Sequence, residues 1–250
     1  MSREHILHML TAAPNLSPFD VNMAIDAGWQ HCIPYTALDL SQIGDYTQDA
    51  IFSRGPKGVR RTGLFIGGRD PHLAVDMLKA ARAAMVPPFE ISVFADPSWA
   101  FTTAAGMVAC AEKSFHEQTG LSLQGKTAVI FGGTGPVGTT CALLAEADLV
   151  FSAAKAGVQV LSADHLAGAT RARVLCDVNA VPPEGIARVG VMDNGVRVEA
   201  APQGALGIGA LAVGNVKYQT QQTLLRQMIE SDSPVFLRFE QALDVARQQV

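Results

Sequence analysis

Short apolar runs alternate with longer amphipathic stretches along almost the whole chain, and that alternation organises the sequence. Residues 5–10 (HILHML) read as a buried strand broken by Pro14, and Ser17 then caps a helix whose first residue is Pro18. Strands are predicted at 32–35, 63–66 and 91–95, with a helix over 71–85. A long helix rich in small residues is predicted from Phe101 to Gln118, ending near Gly120 and placed to link two lobes. Residues 127–131 form a compact strand that leads into Gly132-Gly133-Thr134-Gly135-Pro136-Val137-Gly138, and a helix follows over 136–145. Further strands are expected at 149–152 and 174–178, with a short helix near 162–166. A glycine-rich run from Gly204 enters a helix reaching about Glu230, and a last helix covers roughly 236–248. Strand and helix in turn predict an α/β fold with a mainly parallel sheet.

Composition narrows the function classes. With 48% hydrophobic and 17% charged residues over 250 positions, the chain can bury a large core and is not a disordered segment. A net charge of -4, without a basic run, argues against nucleic acid or an anionic membrane as partner. No apolar run reaches about 18 residues. The N-terminus lacks the pattern of a signal peptide. Four scattered cysteines without CxxC read as thiols in a reducing compartment, so a cytoplasmic protein is expected.

The glycine turn carries the first chemistry. A GxGxxG between a strand and a helix is the context in which that pattern binds a dinucleotide. Gly133 is assigned the tight turn, Gly135 the approach of a pyrophosphate, and Gly138 the close packing of helix on strand. Backbone N–H groups and the helix dipole favour the anion, although Pro136 contributes no donor. The alternative is a turn with no ligand. The candidate cofactor residues are Gly133, Thr134, Gly135, Pro136, Val137 and Gly138, joined by Ser152, Ala153 and Asn179. One expected part is absent: the acid about 20 residues on, at the end of the second strand. The helix ending near Ala145 meets the strand opening at Asp148 almost at once, whereas such connections normally take about 2–6 residues. A strand–helix–strand stretch is therefore expected to be missing there, either deleted from the chain or omitted from its numbering.

Three other clusters invite a role. Ser17-Pro18-Phe19-Asp20 puts an aromatic ring and a carboxylate at a helix start, which an ordinary cap also explains. Asp96-Pro97 followed by Phe101-Thr102-Thr103 is a polar turn after a strand, or a plain loop. Lys217 with Tyr218, Gln219 and Gln221 follows small apolar residues, where a lysine often only faces solvent.

Together these clusters resemble the bacterial NAD(P)-dependent methylene-tetrahydromethanopterin dehydrogenases over nearly the whole chain. The resemblance is carried by SPFDVNMAIDAG (17–28), IPYT (33–36), TQDAIFSR (47–54), FIGG (65–68), VPPF (86–89), VFADP (93–97), FTT (101–103), DVNAVPP (177–183) and ALGIGALAVGNVKYQTQ (205–221). It implies a two-lobed fold with the pterin in the cleft: residues 1–120 with 232–250 as the pterin lobe, and 121–231 as a Rossmann-like dinucleotide domain. It implies hydride transfer from 5,10-methylene-tetrahydromethanopterin to NAD or NADP, and the detail favours the form that accepts both. Asp20 or Asp96 is then expected to stabilise the developing cation, Phe19 to cover a ring face, and Ser17, Thr102, Thr103 and Gln221 to meet the pterin. Lys217 is placed on the pterin carbonyl or ring nitrogens. No metal is expected, and a homo-oligomer is. The gap after Ala145 puts the adenosine contacts in question. The same reaction on methylene-tetrahydrofolate, or a catalytically silent nucleotide-binding protein, are the rival readings.

Overall fold

A computed structural model describes residues 4–137 and 148–250. Two compact units emerge: Met1–Phe101 with Gln221–Ala242, and Thr102–Thr220 with Leu243–Val250.

The first unit is built on five strands: β1 (Ile6–Leu10), β2 (His31–Tyr35), β3 (Thr62–Ile66), β4 (Ser92–Ala95) and β10 (Phe236–Leu237). They form an all-parallel sheet in the order β10-β4-β3-β1-β2. Every residue of β3 and β4 is buried, as expected of central strands covered on both faces. Helices α1 (Pro18–Asp26), α2 (Ile43–Phe52), α3 (Gly55–Val59) and α4 (Pro71–Ala83) connect them. Helix starts follow from local chemistry. Ser17 Oγ accepts from Phe19 N at 3.2 Å, with Pro18 at the first helical position. Asp70 Oδ1 accepts from His72 N (2.9 Å) and Leu73 N (3.1 Å), with Pro71 next to it.

From β1 the chain passes first to β2 on one side and then to β3 on the other. The direction of winding therefore reverses between β1 and β3. Open parallel sheets bind ligands at such a switch point, beyond the carboxyl ends of the strands.

The second unit holds another five strands. Strands β5 (Ala128–Phe131), β6 (Leu149–Ser152), β7 (Val174–Asp177) and β9 (Leu206–Ile208) run parallel, and β8 (Asn194–Arg197) is antiparallel to β9. Their order in the sheet is β5-β6-β7-β9-β8. The unit's helices are α5 (Ala100–Thr119), α6 (Ala163–Gly168) and α7 (Ala210–Glu230), the last continuing into the first unit. Leu166, Leu175, Ile186, Val189 and Val198 form an apolar cluster within this unit. Strand β5 lies directly beside β6 in parallel register. The expected junction between Ala145 and Asp148 includes residues outside the described ones.

Three expectations change. The β8–β9 hairpin was not foreseen, because Asn194–Arg197 shows no apolar alternation and is mostly exposed. The final segment is not one helix: Phe236–Leu237 pairs with β4, and only Phe239–Ala246 (α8) is helical. The unit boundaries also differ from those implied by resemblance. Gly106 of α5 packs against α7, where an added Cβ would stand 3.2 Å from Val213 O and 3.4 Å from Lys217 N. Gln118 Nε2 donates to Gly204 O at 3.0 Å. These contacts tie α5 to the second sheet's unit.

Gly209, between β9 and α7, tests this packing. Its N–H donates to Asp193 O at 2.8 Å, and an added Cβ would collide with Gly190 O and lie 2.6 Å from Val191 O. Gly209→Ala is expected to cost about 2 kcal/mol, because backbone cannot yield as a side chain can. Thermal unfolding checks this; an unchanged midpoint would show that the loop at 190–191 moves freely.

Candidate functional site

Two groups of residues, one in each unit, carry the candidate chemistry. In the first unit, a cavity of about 430 Å³ opens at the carboxyl ends of β1 and β3, lined by Asn15, Ser17, Asp20, Arg69, Ser98 and Trp99 among others. This is the sheet's switch point. Asp20 is 3% exposed, so its carboxylate depends on protein donors. Its Oδ1 accepts from Trp99 Nε1 at 2.9 Å and, more weakly, from Gln221 Nε2 at 3.5 Å. Its Oδ2 faces Gly67, where an added Cβ would sit 3.8 Å away.

The Phe19 and Trp99 rings lie 4.8 Å apart, centroid to centroid, and tilted by 53°. Trp99 reaches this position through strained backbone. Both Ser98 (φ 51°) and Trp99 (φ 59°) are left-handed, which costs non-glycine residues roughly 1–3 kcal/mol each. Ser98 Oγ donates to Gly68 O at 2.8 Å and helps to hold the turn. Such strain collects where a side chain must be aimed, and here it aims an indole N–H at a buried carboxylate. Gln221 is fully buried, and its Oε1 has no hydrogen-bond partner among the described residues. An orphaned acceptor beside Asp20 suits a ligand N–H.

Not every candidate sits in that cavity. Asp96 is fully buried, and its Oδ1 accepts from Phe101 N at 2.9 Å, so it ties the turn to the start of α5. Thr102 is buried and Thr103 half-buried, both early in α5 and grouped with the second unit. Lys217 is half-buried on α7, also within the second unit. Trp99, Arg69 and Asn15 were missed by sequence reasoning. The indole directly after Asp96-Pro97-Ser98 was the one available signal.

In the second unit, the turn after β5 shows which glycines serve the backbone and which leave space. The left-handed residue is Gly132 (φ 77°), where an added Cβ would collide with Ala153 O. The left-handed residue thus precedes Gly133, which lies inside the turn that Gly135 N closes onto Gly132 O at 3.0 Å. At Gly133 the nearest contact of an added Cβ is Ile130 O at 3.5 Å, and at Gly135 it is Gly132 O at 3.4 Å. Both are ordinary van der Waals distances, so the described protein itself does not require glycine there. A pyrophosphate brought close to the backbone does. Pro136 and Val137 open the helix, Thr134 is exposed on the turn, and Gly138 lies outside the described residues.

Ser152 and Ala153 stand at and just beyond the end of β6, and Ala153 N donates to Phe131 O at 2.9 Å. Ser152 Oγ is buried without a hydrogen-bond partner among the described residues. Asn179 ties its own loop to the one after β6: Oδ1 accepts from Gly157 N (3.1 Å) and Val181 N (3.0 Å), and Nδ2 donates to Pro183 O at 2.8 Å. Its side chain therefore holds the two loops together. Asp177 is similarly occupied, accepting from Asn179 N and Ile186 N at 3.0 Å each.

Burial pushes the Cys32 and Cys110 thiols up to about 11, so neither is a ready nucleophile near neutral pH. At Cys110 the loss of hydration outweighs the opposing influence of Lys113. The described residues contain no group of three or more His, Cys, Asp or Glu side chains able to hold a metal ion, and no helix long and apolar enough to cross a membrane.

Residues 18–98, which include α1, Asp20 and the turn as far as Ser98, match the family model described as methylene-tetrahydromethanopterin dehydrogenase, N-terminal. A protein of Methylorubrum extorquens named "Bifunctional protein MdtA" is 27% identical over 268 residues, covering 88% of this chain and 90% of its own. Another from the same organism, the "NAD(P)-dependent methylenetetrahydromethanopterin dehydrogenase", is 42% identical over 290 residues, covering 96% of this chain and 97% of its own. With a carboxylate-bearing cavity in one unit, a strand–glycine turn–helix in the other, and this identity along nearly its whole length, the chain belongs to the NAD(P)-dependent methylene-tetrahydromethanopterin dehydrogenase family.

Proposed function

We propose that the chain oxidises 5,10-methylene-tetrahydromethanopterin to the methenyl form, passing a hydride to NAD or NADP. The observation that carries this reading is the Asp20 carboxylate, buried at a sheet switch point beside the Phe19–Trp99 ring pair. The reacting carbon bridges two nitrogens. When its C–H electron pair departs with the hydrogen, both nitrogens share the positive charge, and no proton is released. The nicotinamide ring supplies the acceptor carbon for that hydride. The protein's task is then positioning and electrostatics.

Asp20 stabilises the cation that develops, and the N–H of Trp99 fixes the carboxylate's direction. Phe19 covers a ring face, Ser17 and the Gln221 amide meet polar ring edges, and Thr102 and Thr103 add hydrogen bonds to the carrier. Gly133 and Gly135 leave the surface on which the pyrophosphate rests, while Asn179 holds the neighbouring loop in place. The missing acid after the glycine turn removes the group that would favour a ribose 2′-hydroxyl over a 2′-phosphate. With that stretch deleted from the chain, both nucleotides are expected to be used with similar kcat/KM. A net charge of -4 and four cysteines without CxxC support a cytoplasmic enzyme.

The direct test follows reduced-nicotinamide absorbance with each carrier, tetrahydromethanopterin or tetrahydrofolate in its methylene form, and with each nucleotide. Turnover confined to the folate carrier would reassign the substrate, and no turnover with either would leave a nucleotide-binding protein.

Lys217 separates function from solvation. Lys217→Ala is expected to lower kcat/KM for the carrier at least about tenfold, or about 1.4 kcal/mol, with nucleotide affinity nearly unchanged. Lys217→Arg restores only part, because a planar fork does not replace a compact ammonium. Normal kcat/KM in the alanine variant would return Lys217 to the surface.

A further inference from the structure

The edges of the two sheets differ in how they are guarded. An edge strand presents unpaired backbone N–H and C=O groups, and proteins blunt it with charge, proline, a bulge or a short length. In the first unit, β2 contains Pro34 and β10 is two residues long. In the second, β8 shifts register between Asn194 and Val196 and carries Arg197. Strand β5, the other edge of that sheet, has none of these devices. Its sequence, Ala128-Val129-Ile130-Phe131, is wholly apolar, and its register against β6 is unbroken.

Strand β5 is also poorly covered. All four residues of β7 are buried and three of the four in β6, whereas none in β5 is, and Val129 is 51% exposed. Parallel strands are ordinarily covered on both faces. The pairing with β6 fixes the backbone directions. Thr127 O accepts from Leu149 N and Phe131 O from Ala153 N, each at 2.9 Å, so the odd-numbered residues turn their polar groups towards β6. Ala128 and Ile130 therefore direct their N–H and C=O away from the sheet, where nothing among the described residues pairs with them.

We infer that β5 pairs antiparallel with β5 of a second copy, across a two-fold axis at Val129, joining the two sheets into one. A two-fold contact sets the same surface of each copy against the other, and an antiparallel strand paired with itself is such a contact. Opposed side chains in an antiparallel pair share a face of the sheet, so the axis passes through a residue and not between two. Centred on Val129, the outward groups of Ala128 meet those of Ile130 in the other copy, and both outward residues of the strand are satisfied. The two Val129 residues then oppose each other in the non-hydrogen-bonded position, with Cα atoms about 4.5 Å apart, and remove apolar surface from water. A second copy fits because this edge complements itself without any guard to remove. The contact is independent of which carrier the protein uses.

Sedimentation velocity of the full chain over a concentration series measures the mass. The wild type is expected to move reversibly from 26.4 kDa towards twice that mass as concentration rises. Val129→Lys opposes two like charges and is expected to weaken association at least about tenfold, and Val129→Glu does the same. Mixing the two variants is expected to restore pairing, a result that a merely destabilised fold would not give. Val129→Cys is expected to form an inter-chain disulfide under mild oxidation, since Cα atoms about 4.5 Å apart lie within bridging range. Leu211→Cys, at a position 52% exposed on α7, and the wild type with its native cysteines are expected to form none. A larger wild-type assembly built on another face would still lose mass in Val129→Lys. A wild type that stays monomeric at every concentration leaves the edge to a strand of another protein and overturns the inference. An unchanged mass in Val129→Lys, or no disulfide in Val129→Cys, overturns it as well.

Discussion

Asp20→Asn is expected to slow hydride transfer by between about 15-fold and 270-fold while leaving the fold in place. A carboxylate about 5 Å from a unit positive charge, at an effective dielectric of about 20, contributes about 3.3 kcal/mol. With half to all of that charge developed in the transition state, the loss is about 1.6–3.3 kcal/mol, which gives the stated range. Asparagine has the same shape, and its Oδ1 still accepts from Trp99 Nε1, so the indole and the strained turn at Ser98 and Trp99 keep their anchor. Steady-state kinetics at saturating nucleotide read the loss, and circular dichroism verifies the fold. Wild-type kcat/KM in Asp20→Asn would mean that the carboxylate serves only to hold Trp99.

At the other group of residues, Gly135→Val is expected to raise the nucleotide dissociation constant about a hundredfold, or about 2.7 kcal/mol. The reason is local. An added Cβ at Gly135 meets only Gly132 O, at 3.4 Å, so the described protein has room for it. A branched side chain there occupies the surface on which a pyrophosphate rests. Stability should change by less than about 1 kcal/mol. Gly132 is unsuited to this test, since its left-handed backbone and the collision with Ala153 O would disturb the turn itself. Calorimetry with NAD and with NADP should show the same loss for both, as the pyrophosphate is common to them. Unchanged affinity would make the glycine turn purely structural.

How much of this was legible in the sequence depended on the range of each interaction. Helix α1 was readable because Ser17 caps Phe19 two residues away and Pro18 presets the first turn. Strand β5 and its glycine turn were readable for the same reason, one covalent neighbourhood specifying both. Strands β8 and β9 were not. Their pairing brings Asn194 opposite Ile208 across a loop, and Asn194–Arg197 is too exposed to announce itself by apolar alternation. The end of the chain misled as well. Phe236 and Leu237 look like the first turn of a helix, but β4 offers an edge with unpaired backbone groups, and pairing there outweighs a local preference.

The candidate site divides along the same line. Motif spacing placed Ser17, Phe19 and Asp20 together and set the glycine turn after a strand, since bond lengths and helix geometry constrain residues a few positions apart. Only the tertiary structure brought Trp99 onto Asp20 across 79 positions and Gln221 onto it across 201. It alone decided that Gly132 is the left-handed residue, that Asn179 ties its loop to Gly157, and that Arg69 lines two cavities. Contacts of that kind have no signature in spacing. They arise when sheets and helices pack, and packing depends on the summed burial of residues distributed over the whole chain.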